Sequence, residues 1–139
     1  MTKLILLFTI LLTLGATRAQ AVIGPEYFPV GITFGQTARL TFANIGEIRG
    51  FIVNWRFIDA DGVIVARSEQ PLTIPFGKMV SVDLNRDTLP RTDPRVQIRA
   101  QIEVLSPGNP RQTLRQSLEV FDNASRKTTV FLNPPPDND

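Results

Sequence analysis

The residue types that carry most biological chemistry are missing from this chain. Its 139 residues include neither histidine nor cysteine. That removes imidazole and thiolate catalysis, thiolate metal sites, most zinc sites and imidazole-ligated haem. Carboxylates, guanidinium groups, amides and hydroxyls remain. Asp59-Ala60-Asp61-Gly62 opens like a calcium loop, but such a loop needs further oxygen ligands at fixed spacing and a late bidentate glutamate. Val63-Ile64-Val65 follows instead, so the segment reads as a hairpin turn. Only a remote partner such as Asp122 or Asn123 would complete a site between loops. Paired-carboxyl hydrolysis needs two acids across a cleft, about 5–9.5 Å apart. Asp83, Glu103 and Glu119 fall on the solvent phase of alternating strands, not across a cleft. The expectation is a protein with no catalytic, metal or cofactor site.

Polar residues on outward strand phases form the better candidate for binding. If the third, sixth and seventh strands share a sheet, its solvent face carries Asn54 and Arg56, then Gln97, Arg99, Gln101 and Glu103, then Arg115, Ser117 and Glu119. Planar guanidinium and amide groups on a flat face suit a glycan or a partner protein. The same residues also suit a ladder of cross-strand pairs, such as Arg99 with Glu119, worth at most about 1 kcal/mol each. Glycan modules stack sugars on exposed rings. The one tryptophan, Trp55, is phased inward, leaving Tyr27, Phe28 and Phe121 as substitutes.

The elements that must hold these residues have period two, not 3.6. Ala38, Leu40 and Phe42 alternate with Thr37, Arg39 and Thr41, and Phe51, Val53, Trp55 and Phe57 with Ile52, Asn54, Arg56 and Ile58. Val80, Val82 and Leu84 repeat the pattern, and Val96 to Val104 is its longest run. Leu114, Leu118 and Val120 follow, with Gln116 interrupting the inward set. Each is a strand with one buried face. Turn residues punctuate them at Asp59–Gly62, Asn85–Pro94 and Ser106–Pro110. The spacing predicts seven or eight strands: 27–34, 36–44, 49–59, 62–74 (broken in two), 78–85, 95–105, 113–122 and 127–132. No stretch beyond the N-terminal segment has helical periodicity. The fold class expected is an all-β antiparallel sandwich.

Ile32-Thr-Phe34-Gly35-Gln36-Thr-Ala38-Arg-Leu40 is echoed by Ile74-Pro-Phe76-Gly77-Lys78-Met-Val80-Ser-Val82, 42 residues later. Both have the form strand, Phe-Gly corner, strand, as expected where chains switch between two sheets, with Phe placed to plug the core. Repetition of ordinary turn chemistry would produce the same echo. The runs FGQTARLTFAN, WRFIDADG and SLEVFDNASRKTTV resemble a group of small secreted bacterial domains. That resemblance covers most of residues 28–132. It implies an immunoglobulin-like or fibronectin-like sandwich, with no activity and no site residues attached. Against true immunoglobulin domains, both core cysteines and a tyrosine corner near Arg99 are lacking.

Residues 1–19 have the form of an export signal, with Lys3, the apolar run Leu4–Leu14 and small residues before a cleavage point after Ala19 or Ala21. Its removal lowers Lys+Arg from 15 to 13 while Asp+Glu stays at 13. The mature chain is then neutral, giving no reason to expect nucleic acid. No later apolar stretch is long enough to span a bilayer. The expected domain is 22–132, with a disordered Pro-rich tail at 133–139. Leu89-Pro-Arg-Thr-Asp93 lacks the position and hydrophobic tail of a sorting signal, and Asn123-Ala-Ser125 is a formal glycosylation sequon. Together these features point to a secreted or periplasmic module, monomeric or weakly associating. It would bind a protein or glycan at the cell surface through the polar face or through the edge strand Thr128–Leu132. A carbohydrate-binding module is the alternative.

Overall fold

The computed structural model describes residues 22–23, 27, 29–108 and 110–133. The expected signal, the tail beyond 133 and Phe28 lie outside the described residues. Among the described residues there are ten strands: β1 (Val22–Ile23), β2 (Val30–Thr33), β3 (Gln36–Asn44), β4 (Phe51–Asp59), β5 (Ile64–Arg67), β6 (Leu72–Ile74), β7 (Met79–Asn85), β8 (Arg95–Val104), β9 (Leu114–Asp122) and β10 (Thr128–Leu132). A 3-10 turn, Arg86–Thr88, follows β7, and the four-residue helix α1 (Pro110–Thr113) precedes β9. Residues 62–74 do break in two, as β5 and β6. No described helix is long and apolar enough to cross a membrane.

The strands form two antiparallel sheets. In the first, β8 and β4 are central, with β1 and β2 sharing the outer flank of β8, and β5 and β6 sharing that of β4. The second runs β10-β9-β3-β7. Inward residues of both meet in one core that includes Ile32, Leu40, Phe42, Phe51, Phe57, Ile102 and Leu118, all fully buried. Alternation at period two places apolar side chains on one face of each strand, and burying those faces against each other drives the layering.

Sheet membership departs from expectation at β9. It pairs with β3 along its whole length, from Gln36↔Asp122 to Asn44↔Leu114, and so lies opposite β4 and β8. Alternation tells which residues face inward but not from which sheet. Trp55 keeps its inward phase, packing edge-on to Phe57 with ring centroids 5.7 Å apart. It is only partly buried, however, as are Val65 on β5, Leu72 on β6, and Val80 and Val82 on β7. Gln116 is buried on the inward phase, and its side-chain oxygen has no hydrogen-bond partner.

The sequence echo has a structural counterpart. β2 passes to β3, and β6 to β7, each from the first sheet into the second, through Gly35 (φ 76°) and Gly77 (φ 68°). Those left-handed conformations favour glycine. β3 and β7 pair as Ala38↔Leu84, Leu40↔Val82 and Phe42↔Val80. With the 42-residue offset, this register maps onto itself about the Leu40–Val82 pair, so the two units are related by a local pseudo-dyad. The phenylalanines do not plug the core: Phe34 and Phe76 are 55% and 54% exposed. The Gly77 corner is tied back by its N–H to the Asn44 carbonyl (2.9 Å). The Gly35 N–H donates to Asp87 Oδ1 (2.9 Å).

Candidate functional site

β4 and β8 set the geometry of an open groove on the outer face of the first sheet. Their register aligns Asn54 with Glu103 and Arg56 with Gln101. Both outward pairs are joined: Asn54 Nδ2 donates to Glu103 Oε2 (3.2 Å) and Arg56 Nε to Gln101 Oε1 (2.6 Å). On the far side of β4, β5 pairs with residues 56–58 and β6 with 51–53, so the connecting segment crosses beside Asn54 and Trp55. Ser68 fastens it there. Its N–H donates to the Trp55 carbonyl (3.0 Å), and its Oγ accepts from the Trp55 N–H (3.3 Å) and donates to Asn54 Oδ1 (3.4 Å). The groove between this segment and the β8 side chains has a volume of about 730 Å³, lined by Asn54, Arg56, Arg67, Ser68, Glu69, Gln101 and Glu103, with Trp55 at its wall.

Six of the nine residues expected on a binding face share this sheet. Asn54, Arg56, Gln101 and Glu103 line the groove. Gln97 and Arg99 lie farther along β8, in a second hollow of about 590 Å³ beside the β4–β5 hairpin. Arg115 and Glu119 do not join them, because β9 belongs to the other sheet. The expected Arg99–Glu119 pair is therefore replaced: Glu119 stands opposite Arg39 on β3 and accepts from Thr128 Oγ1. Ser117 faces Thr41 on that same outer surface. Arg67, Ser68 and Glu69 were not foreseen as site residues. The break between β5 and β6 was their only sequence signal, since the connecting segment has no alternation.

The remaining candidates have structural work. Asp59 is buried, and its Oδ1 accepts from the Asp61 and Val63 amides (2.9 and 2.8 Å) while Oδ2 pairs with Arg91. The carboxylate thereby closes the hairpin and pins the 86–94 loop. Asp122 and Asn123 are likewise engaged. Asp122 accepts from the Ser125 N–H (2.6 Å), and that bond holds its carboxyl below the usual carboxylate range. Asn123 Oδ1 accepts from Thr37 Oγ1 (2.6 Å). No metal-binding cluster of acids occurs among the described residues. Arg86, unforeseen, is wholly buried. Its Nη2 donates to the carbonyls of Arg91 and Asp93, its guanidinium lies 4.2 Å from the Phe34 ring centroid, and Nε and Nη1 have no partner. Its phase was legible, because Val80, Val82, Leu84 and Arg86 continue one inward series.

Of the aromatic substitutes for sugar stacking, the two among the described residues, Tyr27 and Phe121, are covered. Tyr27 is buried, and desolvation pushes its phenol well above its ordinary value. Phe121 is covered by Arg39 and Arg126, at 4.9 and 5.7 Å from its ring centroid. Arg39 also makes a two-point ion pair with Asp83 (2.8 Å each), which raises its pKa. The outer face of the second sheet thus carries the joined pairs Arg39–Asp83, Thr41–Ser81 and Thr128–Glu119, beside exposed Met79 and Phe131. Comparison with known proteins finds no matching family model, no matching curated protein and no matching solved structure.

Proposed function

We propose that this chain is an exported, non-catalytic interaction module that engages a protein partner at the cell envelope or outside the cell, through the groove on the β4–β8 sheet. The carrying observation is the groove itself. It is an open concavity of about 730 Å³ whose floor is two hydrogen-bonded polar pairs, Asn54–Glu103 and Arg56–Gln101. Such pairs present amides and charges in fixed positions on rigid central strands, the condition for specific polar recognition. Export is supported by the N-terminal segment, and the lack of catalysis by the missing residue types together with the structural engagement of Asp59 and Asp83. An immunoglobulin-like kinship is supported by β4 paired with β8 in one sheet and β3 with β7 in the other.

A carbohydrate ligand is the second reading, favoured by one observation: Trp55 is partly exposed at the groove wall. Affinity capture from the native exported fraction tests the leading reading. The Asn54→Ala/Gln101→Ala double variant should lose the captured protein, and Thr41→Ala/Ser117→Ala on the other sheet should keep it. Equal capture by both variants would overturn the assignment of this face.

A further inference from the structure

Within the groove, the register places Arg56 on β4 directly opposite Arg67 on β5. Like charges at facing positions of an antiparallel pair are destabilising. Neither guanidinium is relieved by an ion pair to a carboxylate among the described residues: the ion pairs there join Arg39 to Asp83 and Arg91 to Asp59 and Asp61. Arg56 donates only to the neutral Gln101 amide. One step along the same face lies the Asn54–Glu103 pair, and Glu69 of the β5–β6 connection also lines the groove, giving it an acidic side. The groove is therefore bipolar, with a basic row, Arg67-Arg56-Gln101, beside that acidic side. The fold does not need this arrangement, since an acid at either arginine position would pair with the other.

We infer that the Arg56–Arg67 pair is the receptor for a carboxylate side chain of an extended protein segment, whose neighbouring cationic side chain is taken by Glu69 and Glu103. Spacing supports a strand-like ligand. Outward residues two apart on β4, such as Asn54 and Arg56, are separated by about 7 Å, and so are the side chains at i and i+2 on one face of any extended peptide. A segment lying along the strands thus sets an acid over the arginine row and a base over the glutamate side. Arginine forks suit the carboxylate because they bind it through two parallel N–H donors. A uniformly acidic polymer such as a polyuronate meets Glu69 and Glu103 and is disfavoured by like-charge contact. The inference rests on the groove being the interaction surface.

The test uses the mature chain and labelled, capped hexapeptides in fluorescence anisotropy at low salt. One peptide carries Glu and Lys at i and i+2, one carries them at i and i+1 on opposite faces, one is all-Glu and one all-Lys, with oligogalacturonate as the glycan arm. The i,i+2 peptide should bind at least about tenfold more tightly than the other probes. Arg67→Glu should abolish that preference while raising Tm by about 1–3 °C, because it converts repulsion into a cross-strand pair. Arg67→Thr should weaken binding with a smaller rise. A lowered Tm for both Arg67 variants, or equal binding of the i,i+2 and i,i+1 peptides, overturns the inference and leaves the groove reading standing. Preferential binding of oligogalacturonate overturns it in favour of a glycan. Failure of every probe to bind overturns it too, and removes the groove as a binding surface for these ligands.

Discussion

Replacing Asn44 with alanine should be among the more damaging changes in the molecule, although the residue is polar and lies at a strand end. Asn44 is 1% exposed. Its Nδ2 donates to the carbonyls of Glu47 (2.8 Å) and Ile74 (3.2 Å), and its Oδ1 accepts from the amides of Gly46 (3.2 Å) and Glu47 (2.8 Å). One side chain thus organises the 45–50 loop and joins it to the 75–78 corner. After truncation, the amides of the exposed loop recover water, and the Glu47 carbonyl retains the Gly50 N–H (3.1 Å). The Ile74 carbonyl belongs to a fully buried residue and loses this partner in a dry setting. A net value of about 1 kcal/mol per bond, with about 1–3 kcal/mol for a buried acceptor left unmade, gives a loss of about 2–4 kcal/mol. That is a large share of the roughly 5–15 kcal/mol holding a domain together, and lowers Tm on the order of 10 °C. Urea unfolding followed by far-UV circular dichroism measures it directly. A loss below about 0.5 kcal/mol, with unchanged m-value, would refute the reasoning, because the loop backbone would then be organising itself without the side chain.

Other expectations follow from the same structure. Gly35→Ala and Gly77→Ala should each cost about 1–2 kcal/mol through left-handed backbone strain alone, since an added Cβ meets nothing within 4 Å at either site. Near-equal losses in chemical denaturation would match the pseudo-dyad, and one neutral variant would break it. Trp55→Ala should cost less than the about 3–5 kcal/mol of a fully buried tryptophan. Its emission should lie between buried and solvent-exposed values, with partial acrylamide quenching; complete protection would contradict the half-open flank. Asp122 has a folded pKa below its ordinary 3.8, so its contribution is complete above that value and disappears as pH falls through the lower folded one. Asp122→Asn should therefore flatten the acid limb of a stability–pH curve below about pH 4; an unchanged slope would exclude a role for the Ser125 contact.

Much of the architecture was legible because half-buried strands write their burial into alternate residues. Every strand from β2 to β10 falls within a segment read from that alternation and its turn residues, and the Phe-Gly echo marks two of the five crossings between sheets. The limits have physical causes. Alternation has no memory of the partner strand, so the membership of β9, and with it the placement of Arg115 and Glu119, required the register of β3. Hydrophobicity alone misplaces aromatic rings: Phe34 lies over the Arg86 guanidinium, exposed, while Phe121 on an outward phase is hidden by Arg39 and Arg126. The partners of the buried polar groups were not readable: Asn44 and Arg86 continue inward series, but alternation does not reveal that they bond loop carbonyls and amides, nor that Asp59 pairs with Arg91. At the candidate site, the strand residues were visible and the Arg67–Glu69 segment was not, since a connection without periodicity exposes no pattern to read.

The central claim is that the β4–β8 face, and not the outer face of β9 and β3, meets the partner. Photo-crosslinking in the producing cells tests it most directly, with a photoreactive residue placed at Gln101 in one variant and at Ser117 in another. Both positions lie outward on central strands, so their folding demands are matched. The account predicts a discrete crosslinked protein from position 101 that disappears with Arg67→Glu, and none from position 117. A discrete crosslink from position 117 with none from 101 would contradict it.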